Sequence, residues 1–340
     1  MTRFSPSPGS LRNNQGFSLV ELLVSITIGL VIAVAAGSAY LGASSAGKVA
    51  EAQSRMNEDA QAALNILTQQ LRLAGNNPVQ ANRANAFRRD PVFDPTYVGG
   101  TSTAYGTTSF TTSPGTYTLS AFSIRGCDGT FSNVTATAAI SLASLNCAGG
   151  TTTLPDSIAV SYEADKYTTP PTTAGLATDC VGSALPVVTA TFTSGTSTSA
   201  SFAVADNRFY IGSSSGIPSL YCKGSSSSTQ PLVENVEDMQ FLYGTVSSTD
   251  PSATATVAGY LSADQVITET NMALLASDAA RWGKVLTVRV CVVVRSENPG
   301  ASDTASASYY KCDGTLDSSK TDLRLRRAYS TTVVLRNRRF

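Results

Sequence analysis

Gly16-Phe17-Ser18-Leu19-Val20-Glu21 opens the stretch that decides the fold, and from 17 to 43 the chain reads FSLVELLVSITIGLVIAVAAGSAYLGA. These ~27 residues exceed the roughly 20 that cross a bilayer as a helix. They carry a single charge, Glu21. Before them stands the polar segment MTRFSPSPGSLRNNQG, with Arg3 and Arg12 on the N-terminal side. That charge placement predicts an N-in orientation with everything C-terminal exported. Lys48 and Arg55 on the far side do not oppose it, because a long domain translocates largely regardless of charge.

An ordinary secretory signal puts small residues after its apolar run. Here Gly16 stands immediately before the run, and the run is too long for a signal-peptide core. A plain anchor does not explain Glu21, since a carboxylate within hydrocarbon costs a few kcal/mol and calls for a partner.

With these residues in view, Gly16 to Glu21 resembles the type IV prepilin signature, in which a membrane peptidase cuts after the glycine. The resemblance implies cleavage after Gly16, N-methylation of Phe17, and a role for Glu21 in assembly. In that family the acid neutralises the new amino terminus of an adjacent subunit. The segments then read as a leader over 1–16, a membrane and filament-core half-helix over 17–43, a head-packing half-helix over 44–75 and a β-rich exported head over 76–340.

Helical periodicity continues past the membrane run. Met56, Ala60, Ala63/Leu64, Leu67 and Leu71 recur at three- and four-residue steps, which predicts one apolar stripe. Glu51 and Arg55 form an i,i+4 pair on the polar side. Leu73-Ala74-Gly75-Asn76-Asn77-Pro78 supplies a stop, a glycine followed by a proline. One helix from Phe17 to Leu73 would hold ~57 residues and measure ~85 Å. Gly29, Gly37, Gly42 and Gly47 either loosen it or allow close helix–helix contact.

The remainder reads as strands and loops. Ser157–Tyr162 alternates, and so does Leu286–Val292. The run Lys284–Arg295 sets valines on one face and Thr287, Arg289 and Cys291 on the other, which predicts a central strand. Leu323–Arg326 and Thr331–Leu335 form a final strand able to return beside it. Residues 79–120 read as irregular loop followed by short strands. The fold class is therefore α+β, a type IV pilin-like long helix packed on an antiparallel sheet head with long loops.

Composition limits the chemistry. The chain has 340 residues, 24 basic and 24 acidic residues, and no histidine. Without histidine there is no Ser-His-Asp or Cys-His nucleophile, no His-containing zinc site and no ordinary neutral-pH base. The expectation is a non-enzyme without cofactor or metal. No phosphate-binding G-x-x-x-x-G-K-[ST] is present, and the prepilin resemblance implies an assembly ATPase acting in trans. Six cysteines, Cys127, Cys147, Cys180, Cys222, Cys291 and Cys312, include no CxxC pair. An even number beyond a membrane segment predicts disulfides in an oxidising compartment. Pairing chain neighbours, Cys127 with Cys147, Cys180 with Cys222 and Cys291 with Cys312, closes the shortest loops.

Two further segments resemble the PilW-type minor pilins. Val236-Glu237-Asp238-Met239-Gln240-Phe241-Leu242-Tyr243-Gly244 is similar to that family's V-E-x-[LM]-Q-x-x-Y-G stretch. Arg326-Arg327-Ala328-Tyr329-Ser330-Thr331-Thr332-Val333-Val334-Leu335-Arg336-Asn337-Arg338 is similar to its R-R-x-[FY]-x-T-x-V-x-L-R-N-R finish. Trp282-Gly283-Lys284-Val285 fits as well, whereas residues 79–230 resemble nothing in the family and stand enlarged. The resemblance implies a low-abundance subunit that primes pilus assembly at or near the tip, with twitching motility or adhesion as outcomes. Its partners would be other minor and major pilins, the prepilin peptidase and the inner-membrane platform. It would sit single-pass in the inner membrane, then in the pilus at the cell surface. A type II secretion pseudopilin of the GspJ kind and an adhesive, receptor-binding subunit are the alternatives. Glu234, Glu237 and Asp238 can bind calcium or pair with arginines, but Val233, Val236 and Gln240 lie at helical spacing, as in an amphipathic turn with a solvated acidic face. The C-terminal arginines, alternating with leucines, read as a sheet face and not as a nucleic-acid site.

Overall fold

The computed structural model describes Gly16 and residues 18–76, 109–112, 115–118, 123–135, 142, 145–149, 154–194, 196–224, 229–246, 256–269, 275 and 278–337. Phe17 and the irregular segment expected over 79–108 lie outside these residues. The chain divides into two units within its first helix, Met1–Glu51 and Ala52–Phe340.

Helix α1 spans Leu19–Leu73 without a break. Ser18 starts it: its hydroxyl accepts the Glu21 N–H at 3.2 Å and its carbonyl accepts the Leu22 N–H, satisfying donors that a helix start leaves unpaired. Gly75 ends it at φ +68, a left-handed conformation that glycine adopts without a Cβ penalty. The helix runs unbroken through Gly29, Gly37, Gly42 and Gly47, with open space beside each. In the second unit, Met56, Ala60, Ala63, Leu67 and Leu71 are buried, the stripe that the periodicity predicts.

The head places antiparallel sheets against this part of α1. The first sheet contains β3 (Ile124–Cys127), β4 (Ser157–Ala164), β6 (Thr196–Ser214), β7 (Ile217–Lys223) and β8 (Thr229–Glu234), in that order. β5 (Val187–Ser194) pairs with the first part of β6. The second sheet has the order β10 (Gly259–Leu261), β9 (Val236–Thr245), β11 (Val285–Pro299), β14 (Arg324–Val334). Two ribbons complete the strands: β1 (Ser109–Thr112) with β2 (Gly115–Thr118), and β12 (Tyr309–Tyr310) with β13 (Leu316–Asp317). Short helices α2 (Ala263–Thr268) and α3 (Asp278–Gly283) lie between β10 and β11. The head therefore holds two main sheets where the sequence suggested one.

The predicted central strand is β11, flanked by β9 and β14. Val288, Val290, Val292 and Val294 are all buried. Two local expectations give way. Ser157–Tyr162 is not half-exposed, because every residue of β4 is buried. Its even positions face α1, where the Tyr162 hydroxyl reaches Gln70. Its odd positions include Ser157 and Ala159, small enough for the chain after β3 to close over them, and Ser157 Oγ accepts the Phe131 N–H at 3.0 Å. Nor is Val233–Gln240 a helical turn. Asn235 at φ 62 separates β8 from β9, and the two-residue period of buried Met239, Phe241 and Tyr243 outweighs the weaker three- and four-residue spacing.

Buried polar groups fix the register of helix on sheet. Gln70 Oε1 accepts from Asn207 Nδ2 at 2.8 Å and from the Tyr162 hydroxyl at 3.3 Å, while Asn207 Oδ1 accepts the Cys180 N–H at 3.1 Å. Between the sheets, Asp156 acts as a clasp. Its N–H donates to the Met239 carbonyl at 2.7 Å. Its carboxylate accepts the N–H of Gly129 at 3.0 Å and of Phe241 at 2.8 Å. Burial raises its pKa to about 7 against the pull of those two N–H groups, with Asp128 and Asp238 adding repulsion.

A raised carboxylate pKa means that the folded state holds the proton where the unfolded chain has lost it. Stability therefore falls as pH rises from roughly 4 towards 7. The full-length chain in detergent should melt a few degrees higher at pH 5.5 than at pH 7.5. Asp156→Asn should flatten that slope. A slope unchanged by Asp156→Asn would show that this clasp does not titrate.

Candidate functional site

Two regions carry the chain's distinctive chemistry. The first is the apolar part of α1. Its most hydrophobic window has a mean hydropathy of 2.5 and none of it is buried. Leu19, Val24, Ile28, Val31 and Val34 are each more than half exposed, so the apolar surface surrounds the helix and does not form one stripe. A helix of that kind needs a surrounding of lipid or other helices. Glu21 sits in its first turn, where the helix N-terminus favours an acid. Among the described residues it has no ion-pair partner. Gly16 is exposed, as a cleavage position must be.

The second region is the face of the second sheet built by β9, β11 and β14. At Val293/Val294 the β9–β11 register shifts, and the bulge turns Glu237 towards the sheet end. There Arg326, on β14, reaches across β11 to it. Arg326 Nε donates to Glu237 Oε2 at 2.6 Å, and its two Nη atoms donate to Asp322 at 2.8 and 2.7 Å. Lys320 meets Glu237 at 3.2 Å. The Arg326 side chain is only 2% exposed. Burial works against its charge, but the bonds to Asp322 and Glu237 outweigh this and raise its pKa. Asp322, bonded to Arg326, is held down to about 2. Glu237 of the acidic segment is thus paired with Arg326, Asp238 accepts from Gln240, and Glu234 lies exposed; among the described residues no cluster suits a metal.

The same strands tie the sheet to α1. The Tyr329 hydroxyl donates to Asn57 Oδ1 at 2.6 Å. Asn337 Nδ2 donates to the Arg72 carbonyl at 2.9 Å, capping a carbonyl that the helix end leaves free. Tyr243 packs edge-on to Trp282, with ring centroids 4.8 Å apart. A Cβ on Gly126 would collide with the Tyr243 hydroxyl, and one on Gly244 with the Thr287 hydroxyl. The residues of the two C-terminal segments named so far fill packing or bonding roles.

All six cysteines are paired with their chain neighbours. Cα–Cα distances are 5.5 Å for Cys127–Cys147, 6.4 Å for Cys180–Cys222 and 5.8 Å for Cys291–Cys312, within the usual disulfide range. The last pins the excursion between β11 and β14 onto β11.

Residues 208–337 match the family model of Type IV Pilus-assembly protein W, and residues 11–37 match that of the Prokaryotic N-terminal methylation motif. Together the two matches support a PilW-type minor pilin. No curated protein and no solved structure gives a match. The PilW match begins at Arg208, inside β6, and so takes in β7, which the motifs alone had left in the unmatched middle. It also contains the whole second sheet. The prepilin motif implies processing by the prepilin peptidase and pilin partners. Reading the sequence alone missed the Arg326 clamp and the Tyr329–Asn57 and Asn337–Arg72 links. The one available signal was that Arg326, Tyr329 and Asn337 are all fixed positions of the family-like finish.

Arg326→Met should cost about 3 kcal/mol, since it strands Glu237 and Asp322 without their shared cation. The loss should shrink in the double variant Arg326→Met/Glu237→Gln, as expected of coupled neighbours. Thermal unfolding of the full chain in detergent reads both, and equal melting of Arg326→Met and the parent would contradict the clamp.

Proposed function

We propose that this minor pilin is cut after Gly16, methylated at Phe17 and built into type IV pili as a low-abundance subunit. There it joins other minor pilins and primes assembly at or near the tip, in support of twitching motility and adhesion. Before assembly it is held N-in in the inner membrane by α1 with the head exported, and the assembly platform draws it into the filament. Its role is structural and not catalytic, a reading supported by the absence of histidine from the sequence.

The observation that carries this is the uncovered apolar part of α1 with one acid in its first turn. Lipid covers such a helix but leaves Glu21 without a counter-charge. A bundle of processed pilin helices covers it and also brings a neighbour's new amino terminus to the carboxylate. In a low-dielectric filament core, removing one member of that pair leaves a charge uncompensated at a cost of roughly 3–5 kcal/mol.

Glu21→Ala should insert into the membrane at parental levels, because it removes the only charge from the apolar run. Its recovery in sheared pili should fall at least ten-fold. Immunoblots of membrane and shear fractions compare the two pools. Normal recovery of Glu21→Ala in pili would overturn the pairing.

A further inference from the structure

The outer face of the second sheet, turned away from α1, is half covered. Register places Gly244, Thr287 and Val334 in one row across β9, β11 and β14, then Leu242, Arg289 and Thr332, then Gln240, Cys291 and Ser330. Asp238, Val293 and Ala328 follow, and Arg295 with Arg326 form the last row. The excursion 300–323 lies over the end near Arg326. Its attachments are the Cys291–Cys312 disulfide, Asp322 on Arg326, and the Tyr309 ring 5.9 Å from the Arg326 guanidinium carbon. Beneath it Val293 is fully buried and Cys291 nearly so.

The other half lies open. Arg289 is exposed at the middle of β11, and its guanidinium carbon is 4.4 Å from the Tyr260 ring centroid. Tyr260 is seated over Gly244, where any Cβ would press on its ring at 3.1 Å. Leu242 and Val334 flank Arg289 at 38% and 58% exposure, large for apolar side chains on a flat sheet face. Thr332 and Ser330 complete the surface.

Both halves hold an arginine beside a tyrosine ring. On the covered half, Glu237 and Asp322 complete the arrangement. On the open half no carboxylate meets Arg289 among the described residues. A planar guanidinium stacked on an aromatic ring is prepared for bidentate contact with a carboxylate. Arginine and tyrosine rimmed by aliphatic groups is also the composition of a docking hot spot.

The geometry points to the Arg289–Tyr260 face as the docking surface for the head of another pilin subunit, which supplies an Asp or Glu carboxylate to Arg289 and apolar contact to Leu242 and Val334. This rests on the minor-pilin reading above. A two-fold contact through this face would bring Arg289 against Arg289, so the occupant is the head of a different subunit that presents a carboxylate there.

The test uses the full-length chain in the cells that make pili, with a photo-crosslinking phenylalanine analogue at position 332, beside Arg289. The same analogue at position 31, in the apolar helix, serves as a second site. The adduct from 332 should join another subunit with a prepilin-type N-terminus, at a peptide containing Asp or Glu. Arg289→Glu should lower its yield at least ten-fold and Arg289→Lys should retain most of it. The yield from position 31 should stay unchanged in both, which also reports that the variants are made and inserted. Adducts from 332 that ignore Arg289→Glu, that join only copies of this chain, or that join a non-protein polymer would overturn the proposal. Adducts from 31 without any from 332 would overturn the docking face alone. No pilin adduct from position 31 would overturn the pilin reading itself.

Discussion

The structure depends on an apolar surface that its own chain leaves bare. Ordinary helices in soluble proteins hide one stripe against a core, as α1 does with Met56, Ala60, Ala63, Leu67 and Leu71. Its membrane-length portion has no such stripe, since Leu19, Val20, Leu30 and Ile32 lie exposed around its circumference. At about 25 cal/mol per Å² of apolar area, that surface is tolerable only in lipid or among other helices. The acid in its first turn is penalised by hydrocarbon, and the proposed filament of processed chains would supply it with a counter-charge.

The rest of the molecule is built to hold a large head on the remaining turns of that helix. Three polar contacts set the register: Asn57 with Tyr329, Gln70 with Tyr162 and Asn207, and Arg72 with Asn337. They come from both sheets and from the segment after β14, so the head clasps the helix along the length of the buried stripe. Apolar packing alone is tolerant of sliding; the bonds of buried Tyr162 and Asn207 to Gln70 are not, because a slipped register leaves those two groups unpaired. The Asp156 clasp between the sheets and the disulfides on the three long excursions extend the same logic to the head itself.

The parts legible in the sequence were those set by local period and spacing. The Gly16–Glu21 signature, the helix stop at Gly75, the stripe from Met56 to Leu71 and the central strand β11 all depend on neighbours a few residues apart. The Arg326 clamp was not legible, since it needs a bulge in β9 to bring Glu237 into reach from 89 positions away. The Tyr329–Asn57 bond joins residues 272 apart, and the sequence marked Tyr329 only through its resemblance to a family finish. β4 read as alternating because Ile158, Val160 and Tyr162 are large. That alternation marked a strand, and the small residues between them admit a second layer of chain. Val233–Gln240 misled as a short apolar run that fits both periods until Asn235 breaks it.

In the proposed function a cut frees Phe17 and sets Glu21 at the fifth position of the new chain. Mass spectrometry of the N-terminal peptide from purified pili measures that directly. The account predicts a chain beginning at N-methylated Phe17, present at low stoichiometry relative to the major subunit. A chain in assembled pili that still begins at Met1, or that begins beyond the apolar run, would contradict it.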